Sequence, residues 1–345
     1  MRILFFLLLS FLNLIYAHAD EVTLIGAGAT FPYPLYSKMF QEYYSIKKVK
    51  VNYQAIGSGG GIRQLINKTV DFGASDAFIS DENLKKYGNN ILHIPICIGA
   101  VVLSYNLHGN PAIKLTPEII SNIFLGKIKK WNNPAIATIN PDIKLPDQQI
   151  VVIHRSDGSG TTFIFTDYLS KVSEEWAKKF GKGKSINWPI GLGAKGNPGV
   201  AGLIKQIPGS IGYIELVYAL HNNMSYAQVK NKNENYITPS IQSVSYAANI
   251  ELPEDSRVSL TNTDAEQGYP ISGFTWILTY NDLSNLNRNK AQELVNLFWW
   301  MTHEGQKLAA PLEYAPLSPK AQSIAEQIIK KIKYNNEILW NTISK

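Results

Sequence analysis

Cysteine is nearly absent: the 345 residues carry one, Cys97. An internal disulfide is therefore excluded. The six histidines are scattered, so no Cys/His cluster spells out a zinc site, and no metal or cofactor is expected. Cys97 lies in the apolar run Ile94–Leu103, where a thiol packs as a small hydrophobe. Beyond the N-terminal segment the chain lacks any apolar run long enough to cross a membrane. Charge is sparse at 17% and hydrophobic residues make up 45%, which excludes a disordered chain. There is no internal repeat and no low-complexity stretch. The basic clusters Lys127–Lys130 and Lys330–Lys333 come without a nucleic-acid motif, so nucleic acid is not an expected partner. The net charge of +6 reads as solvated faces or weak steering of an anion.

Two enzymatic signatures are also missing. No lysine follows the glycines as G-x-x-x-x-G-K-[ST] requires, which argues against a nucleotide P-loop. Gly158-Ser159-Gly160 lacks the G-x-S-x-G spacing of a nucleophile elbow. An exported hydrolase with Ser159 as nucleophile, His154 as base and Asp157 as orienter stays as the alternative reading from another class.

What is present begins with an export segment. Met1-Arg2 is a short positive start, Ile3–Leu12 an apolar stretch, and Ala17-His18-Ala19 a small-x-small cleavage pattern. Residues 1–19 are expected to be removed, leaving Asp20 as the mature N-terminus. No cysteine follows the cleavage site, so no lipid anchor is expected there. The reading implies a secreted, periplasmic chain with room for two domains.

The stretch Val151–Ser170 organises the rest. Ile150–His154 is β-branched and reads as a strand, Arg155–Thr161 as a polar glycine turn, and Thr162–Leu169 as the opening of a helix. The first turn of a helix leaves amide N–H groups unpaired, and its dipole places partial positive charge there, so this arrangement binds anions. Gly158 and Gly160 allow close approach, Ser159 and Thr161 add hydroxyls, and Arg155 adds a planar donor fork. Two further glycine loops sit between a strand and a helix, at Gly26–Pro32 and Gly57–Gly61, and Val70–Ala74 ends in Ser75-Asp76. In doubly wound sheets, ligands bind at the carboxyl ends of strands, so all four clusters occupy the same kind of place. Strands are expected at Ile91–Pro95, Ala100–Asn106, Ser210–Ile214 and Ile271–Tyr280. Helices are expected at Arg288–Thr302, Glu304–Ala310 and Ser318–Lys331, with a terminal helix near Asn335–Ile343. Gly181–Pro198 reads as irregular, and Met224–Ser259 has a mixed pattern.

The motifs GAGATFP (Gly26–Pro32), NYQAIGSGGG (Asn52–Gly61), VDFGASD (Val70–Asp76), LGKIKKW (Leu125–Trp131), SDGSGT (Ser156–Thr161) and WPIGLG (Trp188–Gly193) together resemble the periplasmic phosphate-binding proteins of Pst-type ABC importers. The resemblance covers about Glu21–Asp264 and continues more weakly through the C-terminal helices. It implies an α/β, two-lobed periplasmic binding protein fold of type II-like topology, its lobes joined by extended crossover strands and its ligand in the cleft between them. Lobe 1 is expected at 20–98 plus 273–345, lobe 2 at 102–268, and the hinge crossovers at 97–101 and 268–274. The resemblance implies high-affinity binding of inorganic phosphate, delivery to the permease and ATPase of an importer in the inner membrane, no catalysis, and a monomer. As ligand set it implies Thr30, Phe31, Ser58, Asp76, Arg155, Ser159, Gly160 and Thr161, with Asp157 pairing Arg155. Gly59 falls where the family can have a second serine, and Phe78 where proline is familiar. Asp76 bears on the other alternative, sulfate or another oxyanion: an ionised carboxylate only accepts hydrogen bonds, so it suits a protonated anion and repels a bare one.

Overall fold

The computed structural model of the protein describes Val22–Thr342. The expected cleavage site lies outside the described residues. Eight strands and the helices on their faces position the site. They are β1 (Thr23–Gly28), α1 (Tyr33–Lys47), β2 (Lys50–Ala55), α2 (Ser58–Ile66), β3 (Phe72–Ser75), β4 (Ile91–Tyr105), β5 (Val151–Arg155), α3 (Gly160–Val172), β6 (Leu192–Ala194), α4 (Gly196–Gln206), β7 (Ser210–Glu215), β8 (Ser272–Tyr280), α5 (Arg288–Thr302) and α6 (Pro319–Ile329). Their order across the sheet is β2-β1-β3-β8-β4-β7-β5-β6. β1 pairs in parallel with β2 and β3, and β5 in parallel with β7 and β6. β8 runs antiparallel between β3 and β4.

Two lobes result, and β4 runs through both. Ile91–Ala100 pairs with β8, while Val101–Tyr105 pairs with β7. This is a correction to the expectation of separate strands at Ile91–Pro95 and Ala100–Asn106. Flanking β-branched runs and burial on both faces carry the strand across Gly99 without a turn, and a bulge at Ile96 takes up the register shift where Thr275 and Trp276 face Cys97 and Pro95.

Each lobe closes its core by the period of its elements. α1 buries Leu35, Tyr36, Met39, Phe40 and Tyr43, one apolar stripe of a helix, against the first sheet half. Phe298 of α5 meets Phe72 of β3 edge-on at 5.9 Å. In lobe 2, Tyr213 stacks on Phe165 at 4.6 Å and on Trp188 at 5.5 Å. That cluster supports the site directly, because the Tyr213 hydroxyl accepts the Arg155 N–H at 3.1 Å.

Met224–Ser259 resolves into short strands at Ser225–Tyr226, Gln228–Lys230 and Tyr236–Ile237 and a helix at Ile241–Ala247 capped by Ser240. The chain that follows touches both lobes. Ser256 donates to the His93 carbonyl at 2.8 Å and Arg257 to the Ile79 carbonyl at 2.9 Å, whereas Ser259 and Thr261 donate to Asp167 of α3 at 2.6 and 2.5 Å. The expected terminal helix near Asn335–Ile343 is instead a hairpin of Lys333–Tyr334 and Glu337–Ile338, followed by a 3₁₀ turn at Leu339–Thr342. Asn335 and Asn336 both take positive φ, 51° and 65°, which favours a tight hairpin turn over a helix. Glu304–Leu308 is likewise 3₁₀ and not α.

Candidate anion site between the lobes

The N-terminal ends of α1, α2, α3 and α4 meet where the lobes face each other. Each follows a strand, and each presents first-turn amides that lack intrahelical acceptors. The lobes touch across this point. Gly59 N–H donates to the Gly158 carbonyl at 2.8 Å, and Gly160 N–H to Ser58 Oγ at 3.1 Å. The Tyr218 hydroxyl donates to the Thr30 carbonyl at 2.5 Å. Two glycines permit the closeness. A Cβ on Gly160 would stand 2.5 Å from Asp76 Oδ2 and 2.6 Å from Ser58 Oγ, and Gly57 combines a φ of 87° with an Asp157 carboxylate against its Cα.

Lobe 2 supplies a guanidinium held rigid. Arg155, nearly fully buried, donates through Nε and Nη2 to the two oxygens of Asp157 at 2.8 and 2.6 Å and through Nη1 to Thr161 Oγ1 at 3.1 Å. The fork is bidentate, so the plane of the guanidinium is set before any ligand arrives. Partial burial would raise the Asp157 carboxyl, but the Arg155 hydrogen bonds and charge outweigh it and hold it below its ordinary value. Asp157 Oδ1 also accepts Gly196 N–H at 3.0 Å, tying α4 to the loop. Ser159 caps α3 by accepting Thr162 N–H at 3.0 Å.

Lobe 1 supplies hydroxyl, amide and one acid. Asp76 is 2% exposed, and among the described residues no cation is bonded to it. Its Oδ1 accepts the Thr275 hydroxyl at 2.9 Å, and Ser58 Oγ lies 3.4 Å from its Oδ2. Burial pushes its carboxyl up to about 7, more than the Thr275 hydrogen bond and the Arg155 charge pull it back. Thr30 and Phe31 sit at the turn from β1 into α1, with the Phe31 carbonyl accepting the Tyr314 hydroxyl at 2.7 Å.

The fold thus brings Thr30, Phe31, Ser58, Asp76, Arg155, Asp157, Ser159, Gly160 and Thr161 into one bonded neighbourhood. It does not assemble a hydrolytic triad. His154 stacks on Trp188 at 4.9 Å, its Nδ1 lies 3.1 Å from the Arg155 carbonyl, and burial lowers its pKa. Asp157 is engaged by Arg155, and among the described residues no hydrogen bond joins His154 to Ser159 or Asp157.

Sequence reasoning missed Asn197, Thr275, Tyr314, Tyr218 and Glu215. Asn197 bridges the lobes, donating through Nδ2 to Thr30 Oγ1 at 2.9 Å and to Thr161 Oγ1 at 3.1 Å. Its local signal is faint: Gly196-Asn197-Pro198 opens a helix, with Gly196 at a φ of 71°. Thr275 lies 199 residues from its partner Asp76, and Tyr314 lies 283 from Phe31, distances at which no local pattern exists.

Residues 16–302 match the PBP superfamily domain. The phosphate-binding protein PstS of Pasteurella multocida is 44% identical over 316 residues, covering 90% of this chain and 89% of the relative. That of Xylella fastidiosa (strain Temecula1) is 45% identical over 304 residues, covering 87% and 82%. Among solved structures, a periplasmic phosphate-binding protein with bound phosphate (PfluDING) superposes with a TM-score of 0.70 at 21% identity, covering 89% of this chain and 93% of that one. A phosphate-binding protein from Stenotrophomonas maltophilia gives a TM-score of 0.70 at 19% identity, covering 89% and 94%. At such identities the structural likeness speaks for the fold alone. With a superfamily match over most of its length and near-full-length relatives above 40% identity, this chain belongs to the PstS phosphate-binding proteins of the PBP superfamily.

Proposed function

We propose that the protein binds inorganic phosphate between its lobes in the periplasm and hands it to the permease and ATPase of an ABC importer in the inner membrane. The observation that carries the reading is the composition of the site. Helix N-termini, hydroxyls and the Arg155 fork surround the point where the lobes meet, and Asp76, a carboxyl that Arg155 does not brace, faces them. Phosphate is small and strongly hydrated, so its water shell must be replaced by many fixed donors, and preorganised dipoles do so with little reorganisation. At neutral pH phosphate keeps at least one proton, for which Asp76 is the acceptor. Sulfate brings none. The Arg155–Asp157 pair supplies a positive fork while limiting uncompensated buried charge when the lobes part.

The proposed ligand set is Thr30, Phe31, Ser58, Asp76, Arg155, Ser159, Gly160 and Thr161, with Asp157 as the brace of Arg155. Lobe 1 is taken as 20–98 plus 273–345 and lobe 2 as 102–268, with hinges at 97–101 and 268–274. The change of β4 partner between Ala100 and Val101 supports the first hinge. The working form is a monomer released at Asp20. Calorimetric titration of the ligand-stripped chain with phosphate, beside a chromogenic phosphoester assay, tests the reading. Binding of phosphate without turnover is expected. Phosphoester turnover, or no heat with phosphate, would overturn it.

A further inference from the structure

We infer that Asn197 is a positioning residue that makes the Thr30 and Thr161 hydroxyls obligate donors toward the bound anion, an inference that rests on the phosphate reading above. The orientation of the Asn197 amide is fixed by its neighbours. Its Oδ1 accepts the Glu215 backbone N–H at 3.0 Å. A backbone N–H can only donate, so the oxygen is assigned by its partner and the NH₂ group faces the other way. That group has two hydrogens, and each has its own acceptor: Thr30 Oγ1 at 2.9 Å and Thr161 Oγ1 at 3.1 Å. Asn197 is fully buried, so no solvent competes for them.

The acceptor capacity of the two hydroxyls is then used up. A hydroxyl oxygen has one hydrogen to give and two lone pairs to fill. Thr30 Oγ1 accepts from Asn197 Nδ2 and from the Asn197 backbone N–H at 3.2 Å. Thr161 Oγ1 accepts from Asn197 Nδ2 and from Arg155 Nη1 at 3.1 Å. Both oxygens are saturated, and only their hydrogens remain. Ser58 Oγ is likewise filled as an acceptor, by Asp76 N–H at 3.2 Å and Gly160 N–H at 3.1 Å, but its hydrogen already points to Asp76 Oδ2 at 3.4 Å.

Two consequences concern specificity. A ligand group bearing a hydrogen finds no acceptor at Thr30 or Thr161, so any ligand proton is referred to Asp76. The site therefore favours tetrahedral oxyanions with acceptor oxygens at most corners and disfavours neutral, hydroxyl-rich molecules of similar size. A third consequence concerns motion. Thr30 belongs to lobe 1, whereas Asn197 and Thr161 belong to lobe 2, so the Thr30 hydroxyl is oriented only when the lobes are together. Closure completes the donor set as well as enclosing the anion.

Phosphate is titrated calorimetrically into ligand-stripped wild type, Asn197→Ala, Thr30→Val/Thr161→Val, and the triple variant combining them. Asn197→Ala is expected to weaken binding roughly 10- to 100-fold, two neutral hydrogen bonds being disoriented. In the Thr30→Val/Thr161→Val background the same change is expected to cost less than roughly threefold, because the groups it acts through are gone. A wild-type affinity in Asn197→Ala, or an undiminished cost in that background, overturns the inference while leaving the phosphate reading intact. Wild type that fails to bind phosphate overturns both. Should Asn197→Ala not fold, Thr161→Ser and Thr161→Val decide: serine is expected to recover most of the affinity that valine loses, and equal losses overturn the inference.

Discussion

Asp76 and Asp157 carry the same side chain, face the same point, and behave in opposite ways. Asp157 is gripped by both arms of Arg155, and its carboxyl is held below the ordinary value. Asp76 has hydroxyl neighbours and, among the described residues, no bonded cation, and burial drives its carboxyl up to about 7. The difference is one of partners more than of chemistry. A carboxylate paired with a guanidinium becomes a brace, fixed in charge and geometry. A carboxyl desolvated without a cation becomes a proton-sensitive acceptor, and such a group can tell a protonated ligand from an unprotonated one.

The largest effect should come from removing the acceptor. Asp76→Asn can donate to a bare oxyanion, so the preference for phosphate over sulfate should shrink, by up to roughly 10⁴-fold given what unpaired buried groups cost an analogue. Competition titrations measure it, and sulfate competing equally with wild type and variant would remove Asp76 as the discriminator. Removing the braced fork comes next. Arg155→Ala should weaken phosphate binding at least roughly 100-fold, since charge-assisted hydrogen bonds are worth roughly 1.5–3 kcal/mol each. Arg155→Lys should recover part of this, because an ammonium cannot reproduce the fork. Lysine at wild-type affinity would place Arg155 away from the anion.

The contrast also predicts opposite pH slopes in the ligand-free protein. The folded value of Asp76, about 7, lies above that of an unfolded chain. The stability it contributes is therefore full below about pH 3.9 and lost as pH rises to about 7, with about 4 kcal/mol as the upper bound. Asp157 is depressed on folding, so its contribution is present above about pH 3.9 and lost as pH falls through its lower folded value. Denaturant titrations across pH should thus find Asp76→Asn flattening the loss between mid-acid and neutral pH, and Asp157→Asn flattening the loss at the acid end. Identical profiles for the two variants would erase the distinction between the two carboxyls. The smallest signal is closure itself: phosphate should reduce the radius of gyration of stripped protein in X-ray scattering, and an unchanged radius would count against hinge motion.

Much of this was legible because the relevant signals are local. Gly57–Gly61 and Ser156–Thr161 announce strand-to-helix turns through glycine and hydroxyl residues, and those turns hold most of the site. The acceptor Asp76 could be read from its place at a strand end. What supports it could not: Thr275 reaches Asp76 from β8, and Asn197 acts through a hydroxyl on the opposite lobe. These depend on how the chain returns on itself. The Asn335–Asn336 turn differs in kind: two adjacent residues tolerant of positive φ mark it locally, and they outweigh the helical pattern around them.

The placement of β8 between β3 and β4 bears on how such a chain comes to be folded. β8 is an inner strand of its sheet, yet it follows β3 by nearly two hundred residues, as the pairing of Trp276 with Ser75 records. The first lobe synthesised thus cannot close its own sheet, and the edges of β3 and β4 stay open until Ser272–Tyr280 has been made. Contacts so distant in sequence make for slow folding. The segment that locks the sheet is thus made late, with α5, α6 and the Lys333–Ile338 hairpin following it to cover the completed lobe.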